Sequence, residues 1–218
     1  MQLTKFTHSC VRLDDGERSV VFDPGTFSEV ETALDGAGGV LITHEHPDHI
    51  DAERLRAAAR KDPRLRIWAP AGVAATLADL GEQVVAVAPG GSFDAAGFAV
   101  RTFGGQHALI HPSIPVVANV GYLVDDDVYH PGDSLIVPAV PVRTLLAPLH
   151  APWSKTGEVI DFVVSLRAPH VHQIHDGLLN DRGLGFVEGH LTRIGAEYGS
   201  EFRHLEPGET VDVQTPRR

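Results

Sequence analysis

The stretch VLITHEHPDHID, Val40 to Asp51, packs three imidazoles and the carboxylate of Asp48 into six consecutive residues, His44 to His49. Protonated imidazoles that close would repel one another, and neutral ones do little for a core, so something must gather them. A metal does. In an extended segment residues two apart point the same way, which sends His44 and His46 out together from the end of the apolar run. Pro47 removes a backbone donor and favours a turn, and Asp48 and His49 on that turn can face a neighbouring point. The spacing therefore offers two imidazoles to one cation, and a carboxylate with an imidazole to a second. Neutral imidazole and carboxylate suit zinc first, with manganese or iron as alternatives. Two such cations would acidify a shared water to give a hydroxide nucleophile near neutral pH. A polar loop with chance histidines explains one histidine better than three. Structural zinc of the cysteine-rich kind is excluded, because Cys10 is the lone cysteine. A helical H-E-x-x-H site is excluded by the spacing and by the proline in His46-Pro47-Asp48-His49.

The elements around this cluster follow from patterning. QLTKF, CVRL and SVVFD read as strands, with a hairpin signal at Asp15-Gly16. An irregular segment follows Asp23-Pro24-Gly25, then the buried-type strand GVLIT. DAERLRAAARKD predicts a helix with Asp51 as N-cap, stopped at Pro63. LRIWAP and EQVVAVA read as strands around a helix in GVAATLADL that Gly81 closes. A second hairpin in GGSFDAAGFAVRTF precedes a loop with His107, and a third in NVGYLVDDDVYH turns at its aspartates. RTLLAPL and APHVHQIHD are strands, KTGEVIDFVVSLRA and RGLGFVEGHLTRIGAEYG helices, and EFRHL and ETVDV close the chain. Hairpins give way to strand–helix alternation, and the pattern then repeats. Periodicity by itself supports α/β or α+β; the repetition points to two mixed sheets face to face with helices outside, a four-layer αββα sandwich.

Composition sets the bounds. With 218 residues, 43% hydrophobic and 22% charged, the chain is long enough for a sizeable core, and one domain over residues 1–218 is the default. A net charge of −11 argues against a broad nucleic-acid or anionic-membrane surface, since those partners need Lys and Arg. MQLTKFTHSC lacks the apolar region of a signal peptide, and no apolar run reaches the roughly 20 residues of a membrane helix. A lone cysteine, read as a small buried strand residue, permits no intrachain disulfide and fits a cytoplasmic setting. The expected partner is a small-molecule substrate, without nucleic acid or membrane insertion; a homo-oligomer stays open.

The strand followed by H-x-H-x-D-H resembles the metallo-β-lactamase superfamily, and the likeness extends over nearly the whole chain. Asp23, at the end of SVVFD, matches the family's first motif, a structural acid supporting the ligand histidines. The resemblance implies that His107 in FGGQHALIHP completes one metal's trio with His44 and His46. It implies that His175 in HQIHDG joins Asp48 and His49 on the second metal, and that Asp133 in YHPGDS bridges both. THSC, the DPG turn, HALIHPSIP and HPGDS are similar to a compact branch with ascorbate-6-phosphate lactonase-like and N-acyl-phosphatidylethanolamine phospholipase D-like proteins. That branch usually carries G-H-A near its start, where this chain has Thr7-His8-Ser9, so His8 receives no role. The resemblance also implies the metallo-β-lactamase fold, an α+β architecture of two mixed sheets flanked by helices.

The expected activity is therefore metal-dependent hydrolysis of a small ester, lactone or phosphodiester. Asp48 and His130 are the candidates for catalytic contact. Asp48, or a pocket histidine, would pass a proton to the leaving group; His130, just before PGD, would hydrogen-bond a ligand or the substrate. His111 is expected on a loop near the site mouth. His150 either lines the pocket with Trp153 or is structural, His172 is packed or exposed, and His170, His190 and His204 are surface or packing residues. A di-iron oxygen or nitric oxide reductase-type site is the first alternative, but that branch usually has H-x-E where His46 stands. A metal-dependent nuclease is the second, and neither an added arm for the polymer nor the acidic charge favours it.

Overall fold

The computed structural model describes residues 1–213, in which the opening hairpins form as the alternating pattern dictates. β1 (Gln2–Lys5), β2 (Val11–Asp14) and β3 (Ser19–Phe22) pair antiparallel, with Leu3 opposite Leu13 and Leu13 opposite Val20. β4 (Gly39–Leu41), β5 (Arg66–Pro70) and β6 (Val84–Val87) continue the sheet in parallel. β14 (Thr210–Asp212) returns to β1, giving the order β14-β1-β2-β3-β4-β5-β6. The second sheet repeats the plan. β7 (Ser92–Ala95), β8 (Phe98–Gly104), β9 (Val120–Val124) and β10 (Val128–His130) are antiparallel neighbours. β11 (Thr144–Pro148), β12 (His170–Ile174) and β13 (Glu201–Phe202) then run parallel to β10 and to one another.

The central strands β3, β4, β9, β10 and β11 are buried along their whole length and covered on both faces. Between the sheets lie Leu13, Phe22, Leu41, Val100, Tyr122 and Leu146, all essentially inaccessible. α1 (Val30–Leu34), α2 (Ala52–Lys61) and α3 (Ala71–Thr76) cover the outer face of the first sheet through Val30, Leu55 and Val73. α4 (Thr156–Leu166) and α5 (Asp181–Glu197) cover the second through Val159, Phe162 and Leu191. The αββα sandwich expected from the sequence is the architecture observed. Among the described residues no helix is long and apolar enough to cross a membrane.

Two local expectations are corrected. The helix expected to run to Gly81 ends at Thr76, and a 3₁₀ stretch from Ala78 to Gln83 follows, with Gly81 at φ 59°, ψ −128°. The tighter three-residue turn brings Leu77 and Leu80 to the same side, where both are buried. The segment read as irregular contains α1, which at five residues is too short to show a helical period. The Asp51 cap forms as expected, accepting from the Arg54 N–H at 3.0 Å.

Two bonds between the sheets set the site's frame. The Tyr122 hydroxyl donates to the Ile42 carbonyl at 2.7 Å, and the Val120 N–H to the Thr43 carbonyl at 2.9 Å. They pin β9 to the end of β4, where His44 emerges.

Candidate metal centre

Each candidate residue follows a strand end: Asp23 after β3, His44 after β4, His107 after β8, Asp133 after β10 and His175 after β12. The loops lock against one another. Thr26 N–H donates to the Pro47 carbonyl at 2.8 Å and Asp51 N–H to the Pro24 carbonyl at 2.9 Å. A Cβ on Gly25 would stand 1.9 Å from the Asp48 carbonyl oxygen, so only glycine lets the two turns pass. Gly132, at φ +62°, is confined likewise: a Cβ there would meet Asn119 Oδ1 at 2.3 Å and Thr43 Cβ at 2.7 Å. Asn119 Oδ1 accepts instead from the Asp133 N–H at 3.0 Å.

The structure brings all seven expected ligand residues together. His44, His46 and His107 offer ligand atoms within 4.8 Å of one another, and Asp48, His49 and His175 do the same in a second group. Asp133 lies against both. Its Oδ1 is 3.0 Å from His49 Nε2, and its Oδ2 is 3.3 Å from His107 Nε2 and 3.1 Å from His175 Nε2.

Acceptors behind the rings fix which nitrogen faces the cluster. His49 Nδ1 donates to Asp23 Oδ2 at 2.7 Å, His107 Nδ1 to the Ala108 carbonyl at 2.6 Å and His175 Nδ1 to the His150 carbonyl at 2.6 Å. Nε2 of each is then turned inward, the arrangement that orients metal-binding imidazoles. Asp23 is the supporting acid expected from the sequence, and it also accepts from Thr43 N–H and Oγ1, both at 2.7 Å. Among the described residues His49 Nε2, His107 Nε2 and Asp133 Oδ1 are buried without a hydrogen-bond partner. His49 Nε2 and Asp133 Oδ1 are close but not aligned for a hydrogen bond. Buried polar atoms left unsatisfied cost about 1–3 kcal/mol each, and a metal ion among these donors would satisfy them. The residues present fit the group.

Charge follows the same pattern. Burial, with His49 nearby, pushes His44 well below the usual imidazole range, and burial lowers His46 too. Burial opposes a charge on His49 and His175, yet Asp133 with Asp23 holds His49 well above its usual range, and Asp133 with Asp48 raises His175 to about 9. Burial likewise opposes ionisation of Asp133 and Asp48. The surrounding imidazoles nonetheless hold Asp133 well below the carboxylate range, and His175 and His8 hydrogen bonds hold Asp48 below it. Raised imidazole and lowered carboxylate pKa values mark a site that favours positive charge between its carboxylates, the charge that cations would supply.

Other histidines fall differently. His130 is fully buried away from the cavity: Nδ1 accepts from the Gly132 N–H at 3.1 Å, Nε2 donates to the Ser9 carbonyl at 2.9 Å, and the ring stacks on Phe22. Backbone groups occupy both nitrogens, which leaves neither free for the ligand or substrate hydrogen bond expected of it. His150 is exposed and serves through its carbonyl. Trp153, expected beside it, lines the cavity and donates Nε1–H to Asp133 Oδ2 at 2.9 Å. His172 packs under the Arg203 carbonyl, and His111 is exposed on its loop beside Ser113. The residue sequence reasoning missed is His8, fully buried and grouped with Asp48, His49 and His175.

The cluster floors a cavity of about 300 Å³ walled by Phe27, Ile110, Trp153 and Leu178. A larger groove of about 500 Å³, beside Leu34 and Ala58 of α1 and α2, has no histidine in its lining, so chemistry rather than size locates the site.

Comparison with known proteins agrees with this geometry. The family described as the beta-lactamase superfamily domain matches residues 2–175, a span that includes every residue of the cluster. Protein Rv0786c of Mycobacterium tuberculosis is 40% identical over 199 residues, which cover 89% of this chain and 92% of that protein. A UPF0173 metal-dependent hydrolase of Xanthobacter autotrophicus is 29% identical over 169 residues, covering 70% of this chain and 68% of that one. Among solved structures, Igni18, a metallo hydrolase of the archaeon Ignicoccus hospitalis, matches in fold with a TM-score of 0.73 at 21% identity, over 96% of this chain and 97% of that one.

Proposed function

The chain belongs to the metallo-β-lactamase superfamily of metal-dependent hydrolases, and on that premise we propose that it uses two divalent cations to hydrolyse a small ester, lactone or phosphodiester. The observation that carries this reading is Asp133, whose two oxygens reach His49, His107 and His175 while Oδ1 has no hydrogen-bond partner. We assign His44, His46 and His107 to one cation, Asp48, His49 and His175 to the other, and Asp133 to both. Zinc suits the donor set first, then manganese or iron. Held by these residues, the cations would acidify a water to serve as nucleophile and would supply positive charge where negative charge develops on the scissile group.

The chain's own residues hold this arrangement in place. Asp23 orients His49, Trp153 steadies Asp133, and His8 reaches Asp48. Asp48 lines the cavity and its carboxylate is ionised and partly exposed, which places it to take up the proton released by the attacking water and pass it on to the leaving group. No cysteine competes as nucleophile: burial pushes the Cys10 thiol up to about 12. Because both sheets contribute to one site, the chain is read as a single functional domain.

Replacing His46 or Asp133 by alanine is expected to abolish hydrolysis in the metal-loaded protein while circular dichroism stays native. Full turnover in either folded variant overturns the mechanism.

A further inference from the structure

We infer that the substrate is an uncharged carboxylic ester or lactone bearing an apolar acyl or alkyl group, and not a phosphate-bearing compound; this rests on the hydrolase reading above. The polar residues lining the cavity are His46, Asp48, His107, Asp133 and His175, all of them assigned to the cations. Among the described residues no lysine or arginine lines it. A phosphate group is ordinarily recognised by the guanidinium fork of arginine or the point charge of lysine. Asp48 and Asp133 are both committed to the cations, so apart from the cations the described lining offers a phosphate group no positive side chain. An uncharged ester or lactone needs none.

What remains to grip the substrate is apolar. Phe27, Ile110, Trp153 and Leu178 form the walls, and the Trp153 N–H is already engaged by Asp133, so its ring alone is offered. Phe27 is braced against the buried His8 ring, with centroids 5.1 Å apart. Of the nine exposed large apolar side chains among the described residues, Phe27 and Leu178 line the cavity itself. Apolar groups left in water at a cavity mark a binding surface. At about 300 Å³ the cavity is at the small end of ligand sites, which suits a short acyl or alkyl group.

The reaction balances without any further reagent. Water adds its oxygen to the acyl carbon and the acyl C–O bond breaks. The leaving oxygen takes up a proton to become the alcohol, and the acid formed gives up its proton at neutral pH.

Zinc-loaded protein assayed on p-nitrophenyl acetate, butyrate and hexanoate, on γ-lactones with and without an alkyl branch, on bis-p-nitrophenyl phosphate and on a phosphate-bearing lactone tests the assignment. Within the ester series kcat/KM is expected to rise about fourfold per methylene until the cavity is filled, the equivalent of about 0.8 kcal/mol per CH₂. Both phosphate compounds are expected to turn over far more slowly than any apolar ester. Phe27→Ser and Leu178→Ser should flatten the chain-length dependence at unchanged zinc content. Faster turnover of either phosphate compound, or no dependence on chain length, overturns this inference and leaves the hydrolase reading standing. No turnover of any substrate by zinc-, manganese- and iron-loaded protein overturns both.

Discussion

His8 Nε2 lies 3.1 Å from Asp48 Oδ2, while the Gly177 backbone N–H points at His8 Nδ1 from 3.2 Å. A backbone N–H can only donate, so Nδ1 accepts and Nε2 carries the proton that goes to Asp48. The ring that joins the Asp48 group by distance is therefore a donor to that group rather than a cation ligand. Lys5, fully buried, donates to the His8 carbonyl at 2.8 Å and pairs with Asp176 at 3.4 Å, tying the first hairpin to the loop after β12. His8 sits at φ +64°, a backbone conformation these contacts hold in place.

His8→Ala is accordingly expected to weaken the cation bound through Asp48 by about 10–100-fold, the usual effect of removing a hydrogen bond behind a metal ligand. His8→Gln, whose side-chain amide can still donate, should retain most of the affinity. Zinc titration against a chelating dye measures both. Wild-type affinity in His8→Ala contradicts the positioning role.

Trp153→Phe keeps an aromatic wall and deletes the N–H that Asp133 Oδ2 accepts at 2.9 Å. Because Asp133 lies against both ligand groups, both cations should be held more weakly, by about tenfold or more. Loss of affinity for one cation alone would contradict the bridging assignment.

Asp127, remote from the cavity, gives a pH dependence with a definite sign. Its carboxylate is buried, Oδ2 has no hydrogen-bond partner, and burial holds its pKa above the usual aspartate range. A folded-state pKa above the unfolded one favours folding in full below the unfolded pKa, and this contribution is lost as pH rises through the folded pKa. Asp127→Asn keeps the acceptor for the Thr144 hydroxyl, at 3.0 Å, and removes the charge. It should therefore be more stable than wild type at pH 7, by a margin that shrinks toward zero near pH 4. Denaturant melts across that range report it; a margin that grows on acidification contradicts the assignment.

What could be read in advance depended on whether a residue's role was local. His44, His46, Asp48 and His49 were legible because a strand end and a proline turn fix their directions within six residues. Asp23, His107, Asp133 and His175 needed the family pattern, since nothing local says that loops after four different strands converge. The sandwich was legible in its repeated hairpin and alternation pattern. His8 was not, because the partner that fixes its tautomer, Gly177, lies 169 positions away. Asn119 and Tyr122 were equally silent: one cradles Asp133 from the loop before β9, and the other reaches across to the opposite sheet. His130 misled because adjacency to PGD resembles a site position, whereas the Gly132 N–H and Ser9 carbonyl draw its ring away.

The central claim is that seven side chains from both sheets clasp two cations. Purified protein equilibrated with zinc, passed over a desalting column and measured by elemental mass spectrometry should retain about two zinc ions per chain, falling in Asp133→Ala. Protein that retains no zinc, manganese or iron, or whose zinc content is untouched by Asp133→Ala, contradicts it.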